Sequence, residues 1–200
     1  MAKVSVSEIQ GPLAELMSQL SGNKADEVLD QLNLMLKGIT KLLKFVRSVS
    51  VPAVSKFVAA EAFGDDNPAG IKFHLGSNFK TNFLGKIEKN VPAGELNIHH
   101  PTKNSLDASI RAELGAEHEE TTLAHFYELL TKQAHGESGA LFVNGYTNIS
   151  YIRDAKGNFW TVGAYRDGGD HAWGVGASSV EDSCGWSTGI QVVSCKSVQV

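Results

Sequence analysis

YTNISYIRDAKGNFWTVGAYRDGGDHAWGVGASSVEDSCGWSTGI, residues 146–190, decides the fold class of this chain. Its apolar residues recur at every second position, and turn-forming clusters interrupt it at Asp154-Ala155-Lys156-Gly157-Asn158 and at Arg166-Asp167-Gly168-Gly169-Asp170. Alternation broken by such clusters is the pattern of antiparallel strands joined by hairpins. Tyr146 to Arg153 reads as one strand, and a short repeat follows. Trp160-Thr-Val-Gly-Ala, Trp173-Gly-Val-Gly-Ala and Trp186-Ser-Thr-Gly-Ile share the pattern Trp-x-Val/Thr-Gly-Ala/Ile at a spacing of thirteen residues.

Side chains alternate along a strand, so Trp160, Val162 and Ala164 share a face, as do Trp173, Val175, Ala177 and Trp186, Thr188, Ile190. Equal spacing and parity predict three neighbouring strands with their tryptophans on one side, packed on Leu123, Phe126 and Leu130 of the preceding helix. Gly163, Gly176 and Gly189 fall on the other side, where backbone is open to another element or a ligand. A small core filled by the tryptophans is expected ahead of a binding platform.

Upstream the period becomes helical. Leu123, Phe126, Tyr127 and Leu130 mark one helix, with Glu117, Glu119 and Glu120 at its start, where acids suit the dipole, and Gly136 beyond its end. Leu106, Ile110 and Leu114 mark another, capped by Asn104 and closed by Gly115, and Phe79, Phe83, Leu84 and Ile87 a third. Ile71 to Leu75 alternates as a short strand. GDDNPAG, residues 64–70, is the turn-rich boundary of a globular α+β domain, 62–200, that contains the tryptophan repeat over 159–191.

Residues 1–61 read as a helical segment. A first helix carries Leu13, Leu16, Met17 and Leu20, and Gly22 ends it. A second, over 24–50, has Val28, Met35, Leu42 and Val49 alternating with Leu32, Ile39 and Val46 as in an a/d seam. Leu29, Leu36 and Leu43 widen the stripe, which suits cover by more than one neighbour. Val28, Leu32, Met35, Ile39, Leu42 and Val46 are the expected interaction residues, burying against a protein partner or a second copy. The fold class is thus α+β: a helical hairpin with a long heptad helix, then helices packed on a C-terminal antiparallel sheet.

Composition is that of a globular chain, 42% hydrophobic and 20% charged, and the net charge of −4 gives no general pull toward nucleic acid. The excess negative charge lies in residues 62–200, with eleven basic and sixteen acidic side chains against seven and six in 1–61. The opening MAKVSVSEIQ lacks a basic region followed by an apolar one, and no apolar run is long enough for a membrane span, so a cytoplasmic location is expected. Two cysteines, Cys184 and Cys195, are too few for a disulfide scaffold.

SLDASIRAELGAE, ETTLAHFYELLTKQAHGESGALFVNGYTNISYIRDAKGNFW, the Trp-x-Val-Gly-Ala segments and LGSNFKTNFLGKIE together resemble a domain family of uncharacterised proteins from uncultured, small-genome bacteria, over about residues 71–195. The resemblance implies no activity, cofactor or site. It does imply a reusable domain to which different front ends are attached.

Candidate chemistry is sparse. His118-Glu119 opens like a zinc-protease motif, but the next histidine, His125, is seven residues on, which along a helix is about 10 Å. His99-His100 lies in an extended segment where adjacent side chains diverge. Neither cysteine has a neighbour in sequence that lowers a thiol pKa. Gly76-Ser-Asn-Phe-Lys80-Thr81 lacks the spacing of a phosphate loop. Lys37, Lys41, Lys44, Arg47 and Lys56 read as the wet face of a core helix. No catalytic residue, cofactor or metal ligand is expected. The expected class is a non-enzymatic interaction or assembly protein; the alternative is a hydrolase assembled from dispersed residues such as His99, His100, His118 and Cys184.

Overall fold

The computed structural model describes Ser18, residues 41–182 and residues 185–196. The chain divides into two compact units, Met1–Lys41 and Leu42–Val200, and the second contains every strand and helix named below. Among the described residues no helix is long and apolar enough to cross a membrane.

A seven-stranded mixed sheet organises the unit. Its strands are β1 (Leu43–Val51), β3 (Phe73–Leu75), β5 (Gly94–Pro101), β6 (Asn148–Arg153), β7 (Phe159–Asp167), β8 (Ala172–Ser179) and β9 (Gln191–Cys195). Their spatial order is β1-β5-β9-β6-β7-β8-β3, and β2 (Val54–Val58) pairs separately with β4 (Ile87–Val91). The fold is α+β as expected, but the sheet is not purely antiparallel: β6 runs parallel to β9 and β3 parallel to β8.

The predicted heptad helix over 24–50 is corrected at its end. Residues through 40 lie outside the described residues, while Leu43–Val51 is an edge strand pairing with β5. Leu43, Phe45, Val49 and Val51 alternate with Lys44, Ser48 and Ser50, and residues four apart satisfy both a helical repeat and two strand repeats. Three valines in nine residues favour the strand, because β-branched side chains fit a pleated surface. A bulge between Phe45 and Arg47 shifts the parity, so that Leu43 joins one core and Val49 and Val51 the other. The boundary moves accordingly, since residues 42–61 belong to the same unit as the sheet.

Each sheet face has its own cover. On one, Leu96, Ile98, Val193, Ile152, Val162 and Trp173 pack under α1 (Ala59–Ala62), α2 (Ser77–Phe83), α4 (Leu123–Thr131) and the β2–β4 pair. Phe63 sits at the centre of this core, its ring centroid 4.9 Å from those of Phe73 and Phe79 and 5.3 Å from that of Tyr127. On the other face Ile149, Tyr151 and Val192 meet Ile110 and Leu114 of α3 (Asp107–Leu114). Gly115, at φ 80°, closes α3 in a conformation that suits glycine.

Helix starts differ from expectation. No side chain caps α3; Asn104 instead accepts from the backbone N–H of Thr188. The N-terminus of α4 is served by Thr122, which accepts from His125 N–H, and by Glu88 of β4, which accepts from Leu123 and Ala124 N–H at 3.1 and 2.8 Å. Glu119 and Glu120 pair with Arg111 and Arg153 rather than with the dipole. Ile87, read as helical, opens β4 and is exposed.

Two of the three tryptophan segments behave as predicted. Trp160 and Trp173 lie on the adjacent antiparallel strands β7 and β8, and the pairings Trp160↔Ser179 and Arg166↔Trp173 put both on the face covered by α4, with Leu123, Phe126 and Leu130 in the same core. Trp186 does not form a third strand. It makes an isolated bridge with Ser105 and packs on the opposite core.

Candidate functional site

Where α3 leaves the second sheet face bare, the paired glycines Gly163 and Gly176 floor a groove of about 290 Å³. Its lining includes Gly76, Ser77 and Asn78 from the start of α2, Thr147 beside β6, Thr161, Tyr165 and Ser178 from the sheet, and Trp186. Among the described lining residues Tyr165 alone can ionise. A Cβ on Gly176 would meet nothing within 4 Å, whereas one on Gly174 would sit 2.4 Å from the Tyr165 ring. Gly174 therefore lets Tyr165 lie flat across the strand, and Gly176 leaves the floor bare.

The Trp186 wall is held at three points. Its backbone exchanges two hydrogen bonds with Ser105, of 2.8 and 3.0 Å. Its indole Nε1–H donates to Asp107 Oδ1 at 2.8 Å. The same oxygen accepts from Tyr151 Oη at 2.8 Å and Thr161 Oγ1 at 3.0 Å, and Asp107 is only 2% exposed. Burial, reinforced by the Asp107 charge, drives the Tyr151 phenol far above its usual pKa, so it stays a donor. The repeat thus marks the floor glycines Gly163 and Gly176 and the wall residue Trp186, whereas Gly76–Asn78, Thr147 and Tyr165 carry no local signal.

A second concavity, of about 300 Å³, lies between Val91–Leu96, Glu117, Glu120–Thr122, His125 and Cys195–Lys196. His125 is 8% exposed and its Nε2 has no hydrogen-bond partner. Cys195 is a free thiol that donates to Glu117 O at 3.3 Å. Burial, with Glu120 adding to it, pushes that thiol up, the reverse of what a cysteine nucleophile needs.

Of the dispersed histidines, His118 comes near enough to His99 for its charge to act on it. His99 Nε2 lies 3.1 Å from Ser194 Oγ, and burial lowers its pKa, partly countered by Glu113. Ser194 is fully buried. His100 points to the other side of β5, its ring 5.0 Å from that of Phe142. His118 lies in a turn whose carbonyl accepts from Cys195 N–H, and Cys184 lies outside the described residues. Of the expected interaction residues, Val28, Leu32, Met35 and Ile39 also lie outside the described residues, Leu42 is buried in the second core, and Val46 is 42% exposed on β1. Lys44, Arg47 and Lys56 are exposed, but on strands.

Spacing along the chain also conceals a cluster of metal-ligand type. His74 of β3, Asp167 at the end of β7 and Asp170 in the following turn bring one ligand atom each to within 4.8 Å of one another. No local pattern signals it, because β3 reaches the β7–β8 hairpin only through parallel pairing with β8.

Comparison with protein-family models, curated proteins and solved structures finds no match to this chain.

Proposed function

We propose that the chain is a non-enzymatic interaction protein whose globular unit grips an uncharged, extended segment of a partner protein in the groove over Gly163 and Gly176. One observation carries this reading: backbone left open at Gly176, beside Gly163 under the Thr147 methyl, lies in a groove lined by Tyr165, Trp186 and hydroxyl and amide groups and by no charged side chain among the described residues. Backbone groups at the floor already pair across β7 and β8, so they offer a flat contact surface rather than free hydrogen bonds. A planar anchor such as an aromatic or proline side chain fits such a surface, and buried anchors of this kind dominate interface energies. A charged group would lose its hydration there without an ionic partner. The a/d positions Val28, Leu32, Met35 and Ile39 are assigned to pairing with another helix.

Peptides selected from a displayed library on the full chain, with counter-selection on Gly176→Val, test the groove. A Cβ at that position meets nothing within 4 Å, so the substitution extends into open space. The expected binders are uncharged, carry an aromatic or proline anchor, change the tryptophan fluorescence, and lose at least tenfold in affinity to the variant. Binders that tolerate Gly176→Val, or saccharides that bind where peptides do not, overturn the reading.

A further inference from the structure

We propose that His74, Asp167 and Asp170 form a binding site for one divalent first-row transition ion of the zinc type. The geometry comes first. Zinc holds imidazole nitrogen and carboxylate oxygen at about 2.0–2.2 Å, which at a tetrahedral angle places ligand atoms about 3.4 Å apart. His74 Nε2 and Asp170 Oδ2 are already 3.6 Å apart, and the Asp167 ligand atom lies within 4.8 Å of both. A small rotation of exposed side chains completes the set, because His74 and Asp170 are 41% and 58% exposed.

The scaffold holds the three donors in place. β3 lies parallel to β8 with His74 opposite Gly174, and the β7–β8 hairpin closes at the pair Asp167↔Ala172. Asp167 Oδ1 accepts from the N–H groups of Gly169 and Asp170 at 2.9 and 3.3 Å, fixing that carboxylate and keeping it ionised below its usual range. Lys72 is the lysine whose charge reaches Asp167. Two carboxylates gathered beside an imidazole repel one another, and a bound dication reverses that repulsion.

The donor set selects the class of ion. Imidazole nitrogen favours zinc and its first-row neighbours over calcium and magnesium, which prefer all-oxygen shells. Exposure leaves the remaining positions to water or to a group from a ligand. The site also ties a strand of only three residues to the hairpin, two residues before Gly76 at the groove wall.

The test is calorimetric titration of Zn²⁺ into the untagged, chelator-treated full chain, with His74→Ala and Asp170→Asn as variants. One equivalent should bind the wild type, and each variant should bind at least tenfold more weakly. Metal-free melting within a few degrees of wild type verifies that both variants fold. Zinc-induced shifts of the His74 imidazole resonances in the wild type supply a readout independent of any variant. Absence of saturable binding overturns the proposal, as does binding that both variants retain, which would put the ion elsewhere, for instance at His125 and Cys195. The outcome is independent of the groove, because no peptide enters the measurement.

Discussion

Two buried aspartates, Asp107 and Asp154, each gather several donors that no local motif marks. Asp107 gathers the hydroxyls of Tyr151 and Thr161 and the indole N–H of Trp186 on one oxygen. Asp107→Ala strands three donors in the second core. The expected loss is about 3 kcal/mol, since hydrogen bonds to charged groups contribute roughly 1.5–3 kcal/mol each and are not additive. Urea unfolding measures it, and red-shifted tryptophan emission should show that Trp186 is released. Asp154 plays the matching part in the β6–β7 hairpin, accepting from the N–H groups of Lys156 and Asn158, the Asn158 amide and the Trp160 indole. Burial alone would raise its pKa, but these donors outweigh burial and hold it below the usual carboxylate range. A depressed folded value means the stabilisation is present above the unfolded pKa of about 3.9 and is lost as pH falls through the lower folded value. Melting temperatures of wild type and Asp154→Asn should therefore differ most above pH about 4 and converge as the pH falls below it. A constant difference over that range contradicts the assignment.

Elements show why part of the fold is legible in the sequence and part is not. The β6–β7 and β7–β8 hairpins can be read because turn chemistry and alternation agree within a few residues. Strand β1 cannot, because its alternating residues also fit a heptad, and only long-range pairing with β5 separates the two. The apolar face of α4 reveals that helix, yet the anion at its start is not Glu117, Glu119 or Glu120 but Glu88, thirty-five residues before Leu123. Nothing local to α4 encodes a partner from another element. Glu88 also pairs with Lys86 at 3.3 Å, and both side chains are largely buried. Glu88→Ala should cost about 1–2 kcal/mol, in the range of lost caps and partly buried dipole partners. A urea midpoint unchanged from wild type would show that Thr122 alone suffices. Assembly through the heptad positions is read by Met35→Asp, which should lower the mass in solution to that of a monomer if the full chain self-associates.

For the whole molecule, the tryptophan repeat is legible as core and, through Gly163 and Gly176, as an open face. Trp173 is fully buried, its Nε1–H donates to Gln133 O at 3.1 Å, and Arg166 lies 6.0 Å over its ring. Trp173→Ala should cost about 3–5 kcal/mol, a large part of the stability of a domain this size, and a cooperative melt within a few degrees of wild type would disprove that role. The rest of the groove escapes sequence reading because its walls, Trp186 and Tyr165, and its rim at Gly76–Asn78 come from separate parts of the chain. The strand order carries one more consequence. β9 is the last of the sheet strands along the chain, yet it lies between β5 and β6 and alone joins β1-β5 to β6-β7-β8-β3. As the polypeptide leaves the ribosome, two half-sheets must wait with open inner edges until residues 191–195 emerge, and unpaired edges invite pairing with other chains. Nascent chains stalled before residue 191 should be protease-sensitive and bound by chaperones, and release of the next few residues should close the sheet in a single step.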